Sequence, residues 1–319
     1  MKKTLLVSIA LTLVLGMGCK GEPKKGETSE TATPVETQKT VDLDVTGSYA
    51  DDSYSKRSEG YDWVGVRVKE TGEDQLWVSV RSRADKKRPT CTFDGQVYRV
   101  SENTYETSLE GQTAVFEFTE NSLTIRPKTE ADAQALSFRC SGGATLAGTY
   151  TKINGELDPD QVDPTTFMKY LTLQDISFNV SAVEKGGKQE LTIRSMGLEY
   201  SDNDPVILSV PGDILDAQIE DLNSDGSPEV VIFTREGNRG NVHGVSVNSR
   251  RSMSMFYFPP VESNPELSEG YNGNDEFALV ETSLVQRFPI AGGKTRQVSY
   301  ELVNGENSRV FQVKNVTEY

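Results

Sequence analysis

The chain has 319 residues with 33 basic and 48 acidic side chains, a formal net charge of −15, and one histidine, His243. Such an acidic balance argues against a nucleic-acid partner, which needs a basic face, and one imidazole leaves no zinc site with two histidine ligands. The length has room for two domains, and the scarcity of helical periodicity predicts an all-β chain.

Residues 1–18 place Met1-Lys2-Lys3 ahead of an apolar run from Leu5 to Leu15, the layout of a secretory signal and too short to span a bilayer. Cys19, after the small Gly18, resembles a lipobox, in which the thiol becomes the lipidated, palmitate-bearing N-terminus of the mature protein. Loss of residues 1–18 removes two of the 33 basic residues and none of the 48 acidic ones, leaving a net charge of −17. That charge suits a cationic protein partner through long-range steering. Residues 19–44 carry almost no apolar side chain and read as a disordered tether. Lys20 directly after Cys19 is compatible with outer-membrane sorting, so the expected location is a lipid anchor in the outer membrane, facing periplasm or surface. With Cys19 spent on lipid, Cys91 and Cys140 are free to form a disulfide, which an exported compartment permits.

Residues 45–152 alternate apolar and polar positions in short runs. Val64, Val66 and Val68 alternate with Gly65, Arg67 and Lys69, and Leu76, Val78 and Val80 with Trp77, Ser79 and Arg81. Turn signals at Asp94-Gly95, Glu110-Gly111 and Glu120-Asn121 separate further runs at Phe116/Phe118, Leu123/Ile125 and Leu136/Phe138/Cys140. The spacing predicts a small disulfide-bearing β-barrel or sandwich. Gly47-Ser48-Tyr49 and Gly148-Thr149-Tyr150 look like matched edges of that unit.

Residues 153–166, with Pro159 and Pro164 among acids, form a boundary before a second β-rich domain at 165–319. Its opening runs are Leu171 to Val183 and Glu190 to Leu198, joined at Lys185-Gly186-Gly187-Lys188. Asp221, Asn223, Asp225 and Glu229 then place oxygen side chains around Gly226, the start of a calcium loop. The twelfth position is Ile232 where an EF-hand has glutamate, and an apolar β-rich run follows, so the segment reads either as a weak calcium turn or as a metal-free turn closed by Asx bonds. Arg235 to Asn241 follow as a glycine-rich hairpin, read either as a protruding recognition loop or as a solvated tip. The remaining runs are Met253–Phe258, a helical turn at Pro265-Glu266-Leu267, Glu276–Ile290, and Gln297–Tyr319 folded back at Asn304-Gly305.

Several ordered motifs in this half, T-L-Q-D-I-S-F at 172–178, D-A-Q-I-E-D-L-N-S-D-G-S-P-E at 216–229, F-Y-F-P-P at 256–260, G-Y-N-G-N-D-E-F at 270–277 and S-L-V-Q-R-F-P-I at 283–290, resemble the periplasmic inhibitors of I-type lysozyme. The resemblance covers about residues 165–319. It implies an exported β-sandwich, often dimeric, that plugs the cleft of a peptidoglycan-cleaving lysozyme with a protruding loop. The matching loop here is Asn238-Arg239-Gly240-Asn241-Val242, which keeps the glycine as Gly240 and lacks the family's hydroxyl and aromatic partners. A blocking loop must meet the carboxyl pair of such a cleft, a role suited to the guanidinium fork of Arg239 or Arg235. The expected contact set is therefore Arg235, Asn238, Arg239, Gly240, Asn241 and His243.

Catalysis is not expected. The chain has no nucleophile elbow or phosphate loop, and the adjacent carboxylates Asp275 and Glu276 would point to opposite faces of a strand. The sequence thus supports two readings: an envelope lipoprotein that inhibits lysozyme without a cofactor, or a non-catalytic, calcium-dependent adhesion or structural module of the envelope.

Overall fold

The computed structural model describes residues 43–199 and 204–319. The signal segment, Cys19 and nearly all of the tether lie outside the described residues. Leu43–Tyr319 forms one compact unit, and it is all-β. Among the described residues no helix is long and apolar enough to cross a membrane.

The first half closes into an eight-stranded antiparallel barrel. Its strands are β1 (Gly47–Ala50), β2 (Val64–Gly72), β3 (Gln75–Ser82), β4 (Thr92–Ser101), β5 (Thr104–Leu109), β6 (Gln112–Phe118), β7 (Ser122–Pro127) and β8 (Gly148–Ile153). Alternation does its ordinary work here: Val66, Val68, Leu76, Val78 and Val80 are buried in the barrel core, and their neighbours face outward. β1 and β8 pair through Ser48↔Ile153, Tyr49↔Lys152 and Ala50↔Thr151, which closes the barrel and removes both edges. The two matched edge motifs also share a device. The buried Tyr49 hydroxyl donates to Val45 O and the buried Tyr150 hydroxyl to Leu146 O, each at 2.8 Å and each four residues upstream. Burial pushes the Tyr49 phenol up to about 12.

One expected strand is replaced by a helix. The Leu136/Phe138/Cys140 segment contributes to α1 (Ala133–Phe138), preceded by a capping box between Thr129 and Asp132. Ala133-Gln134-Ala135-Leu136 is a run of good helix formers, and only Ala135 and Leu136 of the helix are buried, against the barrel core, while Phe138 stays exposed. The helix delivers Cys140 to Cys91, and the two form a disulfide across a sequence separation of 49.

The second half contains three antiparallel meanders of four strands: β9 (Thr165–Leu173), β10 (Ile176–Lys185), β11 (Lys188–Met196), β12 (Val206–Pro211); β13 (Asp213–Glu220), β14 (Glu229–Glu236), β15 (Arg239–Asn248), β16 (Ser252–Met255); and, after α2 (Pro265–Ser268), β17 (Glu276–Val280), β18 (Ser283–Ile290), β19 (Lys294–Asn304), β20 (Arg309–Glu318). The sandwich therefore has three layers. β14 runs through the middle one: Val230 and Ile232 join Phe178, Val180 and Leu191 in one core, while Val231 and Phe233 join Leu284, Phe288 and Tyr300 in the other. Burial on both faces is why this strand is continuously apolar. Two long runs each split into hairpins, Leu171–Val183 at Gln174-Asp175 (φ 52° and 63°) and Glu276–Ile290 at Glu281 (φ 52°). Neither turn carries a glycine, so the usual signal was absent.

The linker 154–164 is fastened to the barrel. Leu157 is fully buried with Trp63 and Ala50, Gln161 O accepts from Ala84 N at 2.7 Å, and Asp163 N donates to Ser82 O at 3.0 Å. A buried ion pair then ties barrel to sheets: Arg81 Nη2 meets Asp94 Oδ2 at 2.8 Å, Arg81 Nε donates to Thr165 O at 2.7 Å, and Asp94 Oδ2 also accepts Met168 N at 2.8 Å.

Candidate functional site

The 235–243 hairpin does not stand free, contrary to the protruding loop expected. Gly240 N donates to the buried Asp275 carboxylate at 2.9 Å, and Arg235 Nη2 donates to Asp275 O at 2.8 Å. Asn238 Nδ2 donates to Asn272 O at 2.8 Å, while Asn238 O accepts from Asn274 N at 2.5 Å. Asp275 also accepts from Tyr271 Oη at 2.8 Å and Gln286 Nε2 at 2.6 Å, and Gln286 in turn accepts from Tyr300 Oη at 2.7 Å. This network explains the clasp, because a buried carboxylate requires several donors and the hairpin amide is one of them. Two glycines make room for it: a Cβ on Gly240 would fall 2.7 Å from the Phe277 ring, and one on Gly273 would fall 2.6 Å from Asn238 O.

The cations of the hairpin are already engaged. Arg239 pairs with Glu262 and lies 5.5 Å over the Tyr271 ring. Asn241 Oδ1 accepts from Val242 N at 2.8 Å. His243 Nε2 is buried without a hydrogen-bond partner among the described residues, and burial lowers its pKa, which favours the neutral ring. Asn238, Arg239 and Asn241 remain exposed on a fixed scaffold. Asp275, weighed as a catalytic carboxylate, is occupied in holding the clasp.

The acidic turn closes on amides and on an arginine. Asp221 accepts from Asp225 N at 3.0 Å and Gly226 N at 2.9 Å; Asn223 Oδ1 accepts from Asp225 N at 3.0 Å, and Asp225 Oδ1 from Ser227 N at 2.9 Å. Glu229, fully buried, accepts from Leu222 N at 2.8 Å and Ser246 Oγ at 2.5 Å. Arg309, from β20, bridges the pair with Nη1 2.8 Å from Glu229 Oε1 and Nη2 2.5 Å from Asp225 Oδ2. A cation thus already sits among the four expected calcium ligands, and it belongs to the chain. Among the described residues no group of three or more His, Cys, Asp or Glu is placed to hold a metal ion. Millimolar calcium is expected to leave the melting temperature where a chelator leaves it. A rise with calcium that Asp225→Ala removes would instead establish the calcium turn, through mass action on the folded state.

A cleft of about 920 Å³ lies elsewhere, where the outer face of the barrel meets the first two sheets. One wall is formed by the outward residues of β2, β3 and β4, including Arg67, Trp77, Ser79 and Gln96. The linker and β9 supply Asp163, Thr166, Phe167 and Lys169, and the start of β13 supplies Asp213 to Asp216. Trp77 stacks on the buried Phe167 with ring centroids 6.4 Å apart and planes 16° apart. Lys169 Nζ, from β9, pairs with Asp216 Oδ1 of β13 at 2.6 Å. None of these residues belongs to the expected contact set. The available signal was Trp77 on the outward phase of β3: an outward-facing tryptophan needs a covering element or a ligand.

The chain matches no family model, and no curated protein matches it. The resemblance to the lysozyme inhibitors therefore rests on the quoted motifs.

Proposed function

We propose that this chain is a non-catalytic binding module of the bacterial envelope, lipid-anchored at Cys19 and recognising its ligand in the cleft between barrel and sheets. The observation that carries the proposal is the construction of that cleft. Ligand sites favour concavities of a few hundred to a thousand Å³ between structural units, with a few fixed polar groups. This one has the size, an aromatic wall, and walls fixed to each other by the Arg81–Asp94 ion pair and its bond to Met168 N. The test is retention of the soluble mature chain, with Cys19 replaced by serine, on purified cell-wall sacculi and outer-membrane fragments. Retention is expected, and Trp77→Leu, verified as folded by its melting curve, is expected to reduce it at least about tenfold. Unreduced retention by the variant would remove the cleft from recognition.

A second reading, lysozyme inhibition, is supported by the exposed Arg239 held on a rigid hairpin, since preorganisation lowers the cost of binding. Under it, excess protein slows lysis of a peptidoglycan suspension, and Arg239→Ala weakens inhibition by about thirtyfold, the equivalent of about 2 kcal/mol at a hot spot. Lysis at full rate with C-, G- and I-type lysozymes alike would exclude it.

A further inference from the structure

Deepening the binding-module reading, on which it rests, we propose that the cleft takes a neutral oligosaccharide, with Trp77 and Tyr98 as stacking surfaces and Gln75 and Gln96 as hydrogen-bonding partners. The β3–β4 register sets the arrangement. Trp77 lies opposite Gln96, and Gln75 lies opposite Tyr98, so two aromatic rings and two amides alternate as a checkerboard on one outward face. Cross-strand neighbours on one face stand about 5 Å apart, a spacing that lets one ligand touch all four. All four line the cleft.

The chemistry of these side chains selects the ligand class. An aromatic ring presents a negative face, which meets the weakly positive C–H groups on the flat side of a sugar ring. A primary amide is at once donor and acceptor, as is each sugar hydroxyl. Phe167 stacks on the Trp77 indole with ring centroids 6.4 Å apart, and the half-buried indole packs against the core of the first two sheets, which fixes the ring.

Charge excludes the alternatives. Three of the four cleft cations stand beside carboxylates, Arg81 with Asp94 at 2.8 Å, Lys169 with Asp216 at 2.6 Å, and Arg67 more loosely with the exposed Glu156 at 3.6 Å, while the fourth, Lys69, is exposed. Exposed Glu70, Glu184 and Asp213 also line it, so a phosphate or other anion meets net repulsion. A strictly apolar ligand would leave the amides and carboxylates desolvated without partners. A neutral polyol is compatible with both.

The chain has two tryptophans. Trp63 is 1% exposed in a separate small core, which leaves Trp77 to report on cleft occupancy by its emission. The probes are soluble trimers of β-1,4-linked N-acetylglucosamine, β-1,4-linked glucose and α-1,4-linked glucose, titrated at millimolar concentration into the soluble mature chain. Fluorescence and calorimetry are followed together. At least one trimer is expected to give a saturable shift in tryptophan emission, with an affinity that falls roughly tenfold or more in Trp77→Leu and in Gln96→Ala, each checked for an unchanged fold. No saturable signal from any trimer would overturn the saccharide assignment. If envelope fragments still retain the protein in a Trp77-dependent way, the binding-module reading stands and the ligand class is wrong. If that retention also fails, both fall. Binding that Trp77→Leu and Gln96→Ala leave unchanged would place a saccharide site elsewhere and overturn the inference equally.

Discussion

Arg309→Met is expected to destabilise the protein by about 3–5 kcal/mol at neutral to slightly alkaline pH, because it strands a buried carboxylate without its counter-charge. Glu229 is fully buried, and Arg309 Nη1 lies 2.8 Å away with a side chain only 13% exposed. Burial pushes Glu229 up to about 7, against the hydrogen bonds from Ser246 and Leu222 and the field of Arg309, with Asp225 adding to the rise. The sign follows from proton counting. Between the unfolded value near 4.5 and about 7 the folded chain holds more protons than the unfolded one, so this group's contribution to stability falls as pH rises through that window. Removing Arg309 takes away an influence that lowers the pKa and extends the window upward. The cost of Arg309→Met should therefore be smallest near pH 5 and grow toward about pH 8. Glu229→Gln alone should flatten the native protein's dependence across the same window, and combining it with Arg309→Met should recover much of the loss. Denaturant midpoints at several pH values check all three. A cost for Arg309→Met that does not vary with pH would show that Glu229 does not titrate in this range.

Replacing Cys91 and Cys140 together by alanine is expected to cost about 3–4 kcal/mol, the chain-entropy value for a loop of this size, and to lower the melting temperature by roughly 10 °C. The bridge spans a sequence separation of 49 and joins the residue just before β4 to one just past the end of α1. It closes a loop that holds the four strands β4 to β7 and α1, and so restricts the unfolded chain over that whole segment. Thiol titration of the folded mature protein should find no free thiol from this pair, and two titratable thiols would contradict it.

How much of this was legible in the sequence depended on whether a local pattern had one physical cause. The barrel was, because Val66, Val68, Val78 and Val80 turn one face into the barrel core and the alternate residues outward, which is what period-two alternation records. The closing edges were as well, since the two Gly-x-Tyr motifs do the same job in β1 and β8. α1 was not. Leu136, Phe138 and Cys140 happen to alternate, while helix propensity, the Thr129–Asp132 cap and burial of adjacent Ala135 and Leu136 decide the matter. The third layer of the sandwich was also hidden, since Val230 to Phe233 reads the same whether one partner sheet or two cover it.

At the candidate site the residue types were readable and their partners were not. Arg239 and Asp225 both looked like groups waiting for a ligand; Glu262 and Arg309, 23 and 84 positions later, already answer them. Asp275, the carboxylate that clasps the hairpin, gave no sign of that role, because its partners Gly240, Tyr271 and Gln286 come together only in the fold. Apart from the outward Trp77, the cleft was hidden for the same reason: its walls come from segments as distant as Arg67 and Asp216.

Hydrogen–deuterium exchange of the soluble mature chain, measured with and without saturating cell-wall sacculi, tests the central claim most directly, because it reports where the ligand lies whatever its identity. Protection is predicted in peptides covering residues 67–79, 94–98 and 164–169, which line the cleft, with 235–243 unchanged. Protection confined to 235–243 and 271–275 would contradict the account and transfer recognition to the clasped hairpin.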